Sequence, residues 1–402
     1  MKWWCSVDVD DDARTIGARL RQIRSSRGKS LEVIAGLAGI SRSSLSRIER
    51  GERALDSRSE TVALANALRI APSELTSLPV PAPGNGDTDT AVGAVRQALM
   101  AVNHHHPGGD VFPVDALRER VSALVGAGSV GDQELTGREL PGLIRDLHTS
   151  LAAGRDVAEL LDLVALLHTQ ATIGWLRTAG ASVDLREQAS LLACRAAEER
   201  DTPTARGLAA AGAARVMLST GTFELAQTEL DSVAVPTSTP ETTQLAGMLA
   251  LYRAEIAAAD GRPGEVDPAL DHADELAERT GEGNAYWLGF GPTNTGFCRV
   301  AVALDVKDYD LAVAAAEGVN PQLHCNQSRR AAYWVYYGRA LAHVHRRNDA
   351  VMALRRAELI VPHRVQRDPF ARAVIAELLT HSRRDTVGRE LRGMAYRAGL
   401  PV

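Results

Sequence analysis

The sequence contains few lysines, few aromatic side chains and few cysteines. Only three of its 45 basic residues are lysine, and aromatic residues make up 4% of its 402 residues. Small aliphatic side chains must therefore fill most of the core. The four cysteines are widely spaced and form no CxxC pair, which argues against a disulfide framework or a zinc site. We expect free thiols, no bound metal and no cofactor.

Long apolar segments are also missing. The longest purely apolar runs fall far short of the roughly 18 residues that a membrane-spanning helix needs. The N-terminus has no apolar stretch of signal-peptide length and runs directly into Asp10, Asp11 and Asp12. These features predict a cytoplasmic protein without a membrane partner.

Alanine is abundant and indicates helical structure. Alanine has the highest helix propensity and allows helices to pack closely. The chain shows little of the alternation between apolar and polar residues that strands require. We therefore predict an all-α fold. Scarce lysine and abundant alanine are also typical of bacteria with GC-rich genomes.

Charge divides the chain into two unlike parts. Residues 13–78 contain twelve Lys or Arg against six Asp or Glu, whereas residues 79–402 contain 32 against 40. Between them, residues 79–87 are rich in proline and glycine, as expected of a linker. The sequence therefore predicts an N-terminal tail at 1–12, a small basic domain at 13–78, the linker, and a large acidic body.

The basic domain has a helix, turn, helix pattern. Apolar residues recur at helical spacing from Ile16 to Arg27, and Ser30 and Ser41 are placed to cap the two helices that follow. Gly39 supplies a left-handed turn between these two helices. Residues 57–70 and 71–75 supply two further short helices.

This pattern resembles the Cro/C1-type, or xenobiotic-response-element, helix-turn-helix domain, a five-helix fold like that of lambda repressor. The resemblance implies that the third helix enters the major groove of DNA and reads base edges through its exposed residues. These are Arg42, Ser43, Ser44 and Arg47. Four further cations are placed for phosphate contacts: Arg50, Arg53, Arg21 and Lys29. Arg24 and Glu49 resemble a structural ion pair of related domains.

The alternative interpretation of these arginines is a solvated helix face. Their clustering, the positive charge of the domain and the motif together favour DNA binding. One such domain contacts only a half-site, so we expect a homodimer on an inverted repeat with half-sites about one helical turn, roughly 34 Å, apart. The acidic body is the expected source of the dimer interface.

The acidic body is predicted to consist of helical hairpins. Its clearest unit has Trp334, Gly338, Leu354 and Pro362 at spacings that resemble the tetratricopeptide repeat. Weaker copies precede it at intervals of roughly 38 to 46 residues, which is longer than the ideal repeat. We therefore predict an α-solenoid like that of tetratricopeptide-repeat proteins at 155–402, with 88–154 as a helical connector or cap.

Such a solenoid exposes a concave groove lined by the first helix of each hairpin. The repeat register assigns seven residues to it: Arg177, Arg215, Glu255, Asn294, Phe297, Arg339 and His343. Arginines along a groove can clamp a carboxylate or phosphate, and Asn294 can hold a peptide backbone. The loop from Gly289 to Asn294 is a further candidate for anion or peptide binding. Nine of the seventeen aromatic residues lie between Tyr286 and Tyr337, and they indicate either a pocket beside the groove or repeat core.

Other chemistry is weakly represented. His104, His105 and His106 lie in a predicted connector without the acids or cysteines of a metal site. Cys298, Cys325 and His324 suggest a Cys/His pair, but no orienting residue is identifiable. The sequence contains none of the common nucleotide-binding, hydrolase or metalloprotease motifs. We do not expect an enzyme.

The domain order resembles actinobacterial helix-turn-helix regulators with tetratricopeptide-like C-terminal domains, and also the peptide-pheromone receptor regulators of Gram-positive bacteria. The resemblance implies a transcription regulator that binds an operator as a homodimer, associates with the nucleoid and senses a peptide or small molecule in its groove. The alternative is a scaffold whose groove binds a partner protein while the basic domain localises it on DNA. A repressor without a ligand would leave the repeats unexplained.

Overall fold

The computed structural model describes residues 15–76 and 86–402. Within these ranges the chain forms helices and no strand, in agreement with the predicted all-α class. The predicted tail at 1–12 and most of the predicted linker at 79–87 lie outside the described residues. So does Cys5.

The N-terminal domain consists of five short helices. Three begin after a serine and one after a threonine, and each hydroxyl accepts a hydrogen bond from a first-turn amide. Their apolar faces enclose one small core, which contains Leu20, Leu45 and Leu64. The helices are α1 (Ile16–Ser26), α2 (Leu31–Leu37), α3 (Arg42–Glu49), α4 (Arg58–Leu68) and α5 (Pro72–Thr76).

The turn between α2 and α3 follows from its glycine. Gly39 has a φ of +70°, a conformation that side chains with a Cβ rarely adopt. The amide of the next residue, Ile40, then donates to the carbonyl of Ala35 at 3.0 Å, which satisfies the open end of α2. This closed turn fixes the angle at which α3 leaves the domain.

The rest of the chain, from Gly86 onwards, forms a body of seventeen helices within the described residues. Short π-helical (Leu167–Thr172) and 3₁₀ (Ala285–Trp287, Pro321–Leu323) turns lie between some of them. The helices are α6 (Gly86–Asn103), α7 (Val114–Val130), α8 (Gln133–Ala152), α9 (Val157–Leu166), α10 (Ile173–Thr178), α11 (Val183–Arg200), α12 (Pro203–Thr220), α13 (Phe223–Asp231), α14 (Pro240–Ala259), α15 (Pro263–Thr280), α16 (Pro292–Asp305), α17 (Tyr309–Glu317), α18 (Gln327–His343), α19 (Arg347–Ile360), α20 (Pro362–Gln366), α21 (Pro369–Thr380) and α22 (Thr386–Arg397).

Consecutive helices of the body pack in pairs, notably α11 with α12, α14 with α15, and α18 with α19. In the last pair, a Cβ on Gly338 would lie 2.9 Å from Leu354 Cγ and 3.3 Å from the Ala350 carbonyl. The absence of a side chain at Gly338 therefore lets α18 and α19 touch. Helix α19 ends at Ile360, two residues before Pro362, where proline interrupts helix geometry. The structure shows the pairing of helices. The arrangement of these pairs as a tetratricopeptide-like solenoid stays a prediction.

One segment, Val157–Thr178, is long and apolar enough to cross a membrane by length and composition. Its most apolar window is 61% buried inside the fold. Leu160, Val164 and Leu176 pack in a core cluster with α6 to α8. The segment therefore has the surroundings of a core helix.

Candidate DNA interface and interdomain cavity

Helix α3 presents a polar face to solvent. The side chains of Arg42, Ser43 and Arg47 are exposed, and Ser44 is partly buried. Arg42 pairs with Glu32 on α2 at 2.5 Å, but both side chains remain more than half exposed. A surface pair of this kind contributes little and can open for a ligand. The residues that the sequence predicted to contact base edges therefore lie on one accessible surface.

The opposite face of α3 is anchored in the domain. Leu45 and Ile48 are buried, and the Ser41 hydroxyl accepts from the Ser44 amide at 3.1 Å. Behind them, Arg24 on α1 forms a bidentate pair with Glu49, at 2.6 and 2.8 Å. This confirms the predicted ion pair, which raises the pKa of Arg24 through its hydrogen bond to Glu49. Helix α3 is thus held rigidly while its polar face stays open.

The four residues predicted to contact phosphates have different surroundings. Arg21 and Lys29 are exposed, whereas Arg50 is exposed but paired with Glu52 at 2.7 Å. Arg53 is partly buried and donates from both terminal nitrogens to Glu60. Arg53 therefore serves the packing of the domain, and it would have to leave Glu60 to reach a phosphate.

The N-terminal domain docks on the body through a buried polar cluster. Asp56, in the loop before α4, accepts hydrogen bonds from Arg339 Nε at 3.1 Å and from His343 Nε2 at 2.9 Å. Arg339 also donates to the Asp56 carbonyl, and the His343 ring stacks on Tyr309 with centroids 3.9 Å apart. Burial opposes charge on Asp56, yet His343 and Arg339 hold its pKa below the usual range. The same carboxylate raises the pKa of His343 against the effect of burial.

Further contacts extend the docked surface on both sides of this cluster. Arg58 Nη1 pairs with Asp305 at 2.6 Å, and the Ala54 amide donates to Glu377 Oε2 at 2.7 Å. Phe370 packs against the core of the N-terminal domain. The small domain is therefore held to the body by ion pairs and by apolar contacts.

A cavity of about 540 Å³ lies between the two parts of the chain, within the usual size range of small-molecule sites. Helices α4 and α5 provide one wall through Arg58, Thr61, Val62, Pro72 and Ser73. The remaining wall comes from body helices that are distant in sequence, among them α10, α11, α12, α14, α18 and α20. Both parts of the chain therefore line this cavity.

The cavity wall is strongly basic. It contains nine arginines against three acids: Arg58, Arg177, Arg186, Arg215, Arg329, Arg339, Arg364, Arg367 and Arg372 against Asp89, Glu255 and Asp368. Three of the arginines form ion pairs, Arg58 with Asp305, Arg339 with Asp56 and Arg367 with Asp89. The Asp368 carboxylate caps α21, so it is already engaged.

Four of the seven predicted groove residues line this cavity, namely Arg177, Arg215, Glu255 and Arg339. The structure thus brings together side chains from α10, α12, α14 and α18, the helices on which the repeat register placed them. Arg339 faces the cavity while bound to Asp56, so it also belongs to the docking cluster.

The other three predicted groove residues lie elsewhere. Asn294 is buried and accepts from Arg329 Nη2 at 2.7 Å, and it therefore orients a cavity arginine from behind. Phe297 is buried between the rings of His324 and Tyr333, in the core. His343 serves the docking cluster through Asp56.

The predicted anion loop before α16 is already capped. Glu282 Oε1 accepts from the Thr293 amide at 2.8 Å, so a carboxylate of the chain itself occupies the start of the helix. Nearby, His324 Nε2 lies 2.9 Å from the Gly289 carbonyl, and burial lowers the pKa of His324 to about 4. Cys298 is buried, and burial raises its pKa. These groups have the surroundings of structural side chains.

Four cavity residues were not predicted from the sequence: Arg186, Tyr252, Arg329 and Arg364. Tyr336, one of the nine aromatic residues considered for a pocket beside the groove, does line the cavity. Tyr252 lies three residues before Glu255, so helical spacing from that predicted residue could have found it. Arg364 lies on α20, a short helix after Pro362 where the predicted repeat ends. No local pattern marks that position as part of a groove.

Comparison with known families finds one domain. Residues 15–78 match the model of a family described as "Helix-turn-helix domain". No curated protein and no solved structure matches the chain. The N-terminal domain is therefore a helix-turn-helix DNA-binding domain like those of the xenobiotic-response-element type, and the match ends before the helices of the body begin.

Proposed function

We propose that the protein is a transcription regulator that binds a specific operator as a homodimer and senses an effector in its helical body. The helix-turn-helix domain supports DNA binding and a role in transcription regulation. The observation that carries the proposal is the open polar face of α3, on which Arg42, Ser43 and Arg47 are exposed while Leu45 and Ile48 anchor the helix. Arginine on such a face pairs with guanine, and serine serves any base.

The effector part of the proposal is supported by the interdomain cavity. A ligand regulates DNA binding only if it binds the competent and incompetent arrangements with different affinity. The wall of the cavity includes α4 and α5 of the DNA-binding domain. A ligand in the cavity therefore contacts both parts of the chain, and its affinity depends on how the two parts are arranged. We propose that the regulator is cytoplasmic and not an enzyme. We also propose that its body is a tetratricopeptide-like solenoid, which provides the dimer interface.

The second candidate function is a scaffold whose groove binds a partner protein. A scaffold is expected to present a long open groove, whereas the basic residues here line a cavity of small-molecule size. This difference favours an effector sensor. A protein partner also gives no reason for the cavity to lie against the DNA-binding domain.

The experiment that tests the proposal is selection of bound duplexes from a random DNA pool, with the full-length protein at fixed salt. An inverted repeat with half-sites about one helical turn apart, roughly 34 Å, is the expected result. The Arg47→Ala variant should select a motif that is relaxed at the base Arg47 contacts. The Arg206→Ala variant, which replaces an exposed arginine on α12, should select the wild-type motif. Recovery of random sequence by the wild-type protein would contradict the proposal.

A further inference from the structure

Five arginines of the cavity have no carboxylate partner within the part of the chain that the structure describes. Arg329 donates to the amide oxygen of Asn294, and Arg215 donates to the Thr169 carbonyl at 3.3 Å. The Nε atom of Arg186 is buried without a hydrogen-bond acceptor in the described structure. The five are Arg177, Arg186, Arg215, Arg329 and Arg364.

This arrangement is costly without a ligand. All five side chains are partly buried, and like charges near one another repel more strongly where protein replaces part of the surrounding water. Burial, with Arg177 and Arg215 nearby, lowers the pKa of Arg186 to about 10. Burial and Arg177 likewise lower the pKa of Arg364 to about 10. Glu255 is the one cavity acid without an ion pair or a capping role in the described structure, and it cannot balance five cations.

The size of the cavity and the residues that line it indicate which kind of ligand it would bind. The cavity, about 540 Å³, lies in the size range of small-molecule sites and is too small for a DNA backbone or a folded protein segment. Guanidinium groups bind phosphate and carboxylate through paired hydrogen bonds, and the rings of Tyr252 and Tyr336 add apolar surface. We propose that the cavity binds a small organic molecule with at least two anionic groups, phosphate or carboxylate, which bridges the DNA-binding domain to the body.

The bridge follows from the composition of the two walls. The unpaired arginines all belong to the body, on α10, α11, α12, α18 and α20. The opposite wall, from α4 and α5, contributes the Ser73 hydroxyl and the Arg58 guanidinium, which is paired with Asp305. The hydroxyls of Thr61 and Thr76 on this wall donate to carbonyls of their own helices. An anion between these walls links α4 to the body and fixes the direction in which α3 faces DNA. The inference rests on the proposed function, since it names the class of effector and its site of action.

The test is calorimetric titration of the full-length protein with pyrophosphate, a nucleoside triphosphate and citrate at fixed low ionic strength. Binding of at least one of these probes is expected, and the active probe distinguishes phosphate from carboxylate as the source. Arg186→Gln and Arg215→Gln should each weaken binding at least tenfold. Matched controls on the same two helices, Arg195→Gln and Arg206→Gln, replace exposed arginines and should bind as the wild type does.

Stability without ligand separates a binding role from a structural one. Arg186→Gln removes a repelled cation, so the unliganded variant should melt at the wild-type temperature or above it. A lower melting temperature together with unchanged affinity would show a structural arginine and overturn the assignment. Failure of all three probes to bind the wild-type protein would overturn it as well.

Hydrogen exchange of the full-length protein tests the bridge. The bound probe should slow exchange both in α4 and α5 and in α11 and α12. Protection of the body helices alone would contradict a bridging ligand. The outcome is independent of operator selection: a recovered operator without anion binding removes this inference alone, and anion binding without an operator removes the proposed function alone.

Discussion

The buried cluster around Asp56 gives the most quantitative prediction. The side chains of Asp56 and Arg339 are 4% and 6% exposed. Replacement of Asp56 by alanine therefore leaves a buried guanidinium without its carboxylate. His343 can release its proton, but arginine stays charged at any working pH. Removal of one partner from a buried ion pair costs about 3–5 kcal/mol.

This free energy should appear in the stability of the N-terminal domain. The domain gains the Asp56 contacts only while docked, so its unfolding free energy should fall by the same amount in Asp56→Ala. Native-state hydrogen exchange of the amides in α4 measures this quantity directly. The expected increase in exchange is about two to three and a half powers of ten, because each 1.4 kcal/mol corresponds to about a factor of ten.

Two further variants make the reasoning refutable. Glu52→Ala removes a carboxylate that pairs with Arg50 on the surface, and exchange in α4 should stay at the wild-type rate. The double variant Asp56→Ala/Arg339→Met replaces the pair with apolar groups and should recover much of the loss. Wild-type exchange in Asp56→Ala, or a double variant as unstable as the sum of the single ones, would refute the proposed role of this cluster.

Three other predictions concern single residues. Arg47→Ala should weaken operator binding by about 1–3 kcal/mol in anisotropy titrations, and an equal loss on random DNA would show that the side chain reads no base. Gly17→Ala should destabilise the DNA-binding domain by about 1–3 kcal/mol, because its Cβ would lie 2.1 Å from the Ile48 carbonyl oxygen; Gly36→Ala, which meets open space, is the control for urea unfolding. His343 faces Asp56, Arg339, Glu377 and Tyr309, and its raised pKa means that its stabilising effect is present below its ordinary value of 6.5 and lost as the pH rises through the raised value. His343→Gln should remove that pH dependence of domain stability, and an unchanged profile would show that another group causes it.

The DNA-binding domain could be predicted from sequence because its determinants are local. Capping serines, the turn glycine and apolar residues at helical spacing all act within a few residues of one another. The Arg24 pair with Glu49 spans 25 positions and was still predictable, because the resemblance to a known domain placed both residues.

The cavity was only partly predictable. Repeat register placed Arg177, Arg215, Glu255 and Arg339 on first helices, and these four line one cavity. Register alone did not distinguish a residue that faces the cavity from one that turns into the core, as Phe297 does, since adjacent helical positions differ by about 100°.

The docking of the two parts could not be predicted from sequence. Asp56 and Arg339 are 283 positions apart, and no local pattern relates them. Arg339 and His343 were predicted to bind a ligand because both are polar residues at inward positions. In the structure their common partner is a carboxylate from the loop before α4. Asp56 is an acidic residue in a basic domain, and this was the one feature of the sequence that marked it. The residues that pair with Asp56 are determined by tertiary packing, which the sequence does not show.

The most direct test of the central claim is the affinity of the full-length protein for a selected duplex and for a scrambled duplex of the same length at one salt concentration. The selected duplex is expected to bind about 10³-fold more tightly than the scrambled one, or better, as specific sites do. Equal affinities for the two duplexes would mean that α3 reads no sequence, and would contradict the assignment of this protein as an operator-binding regulator.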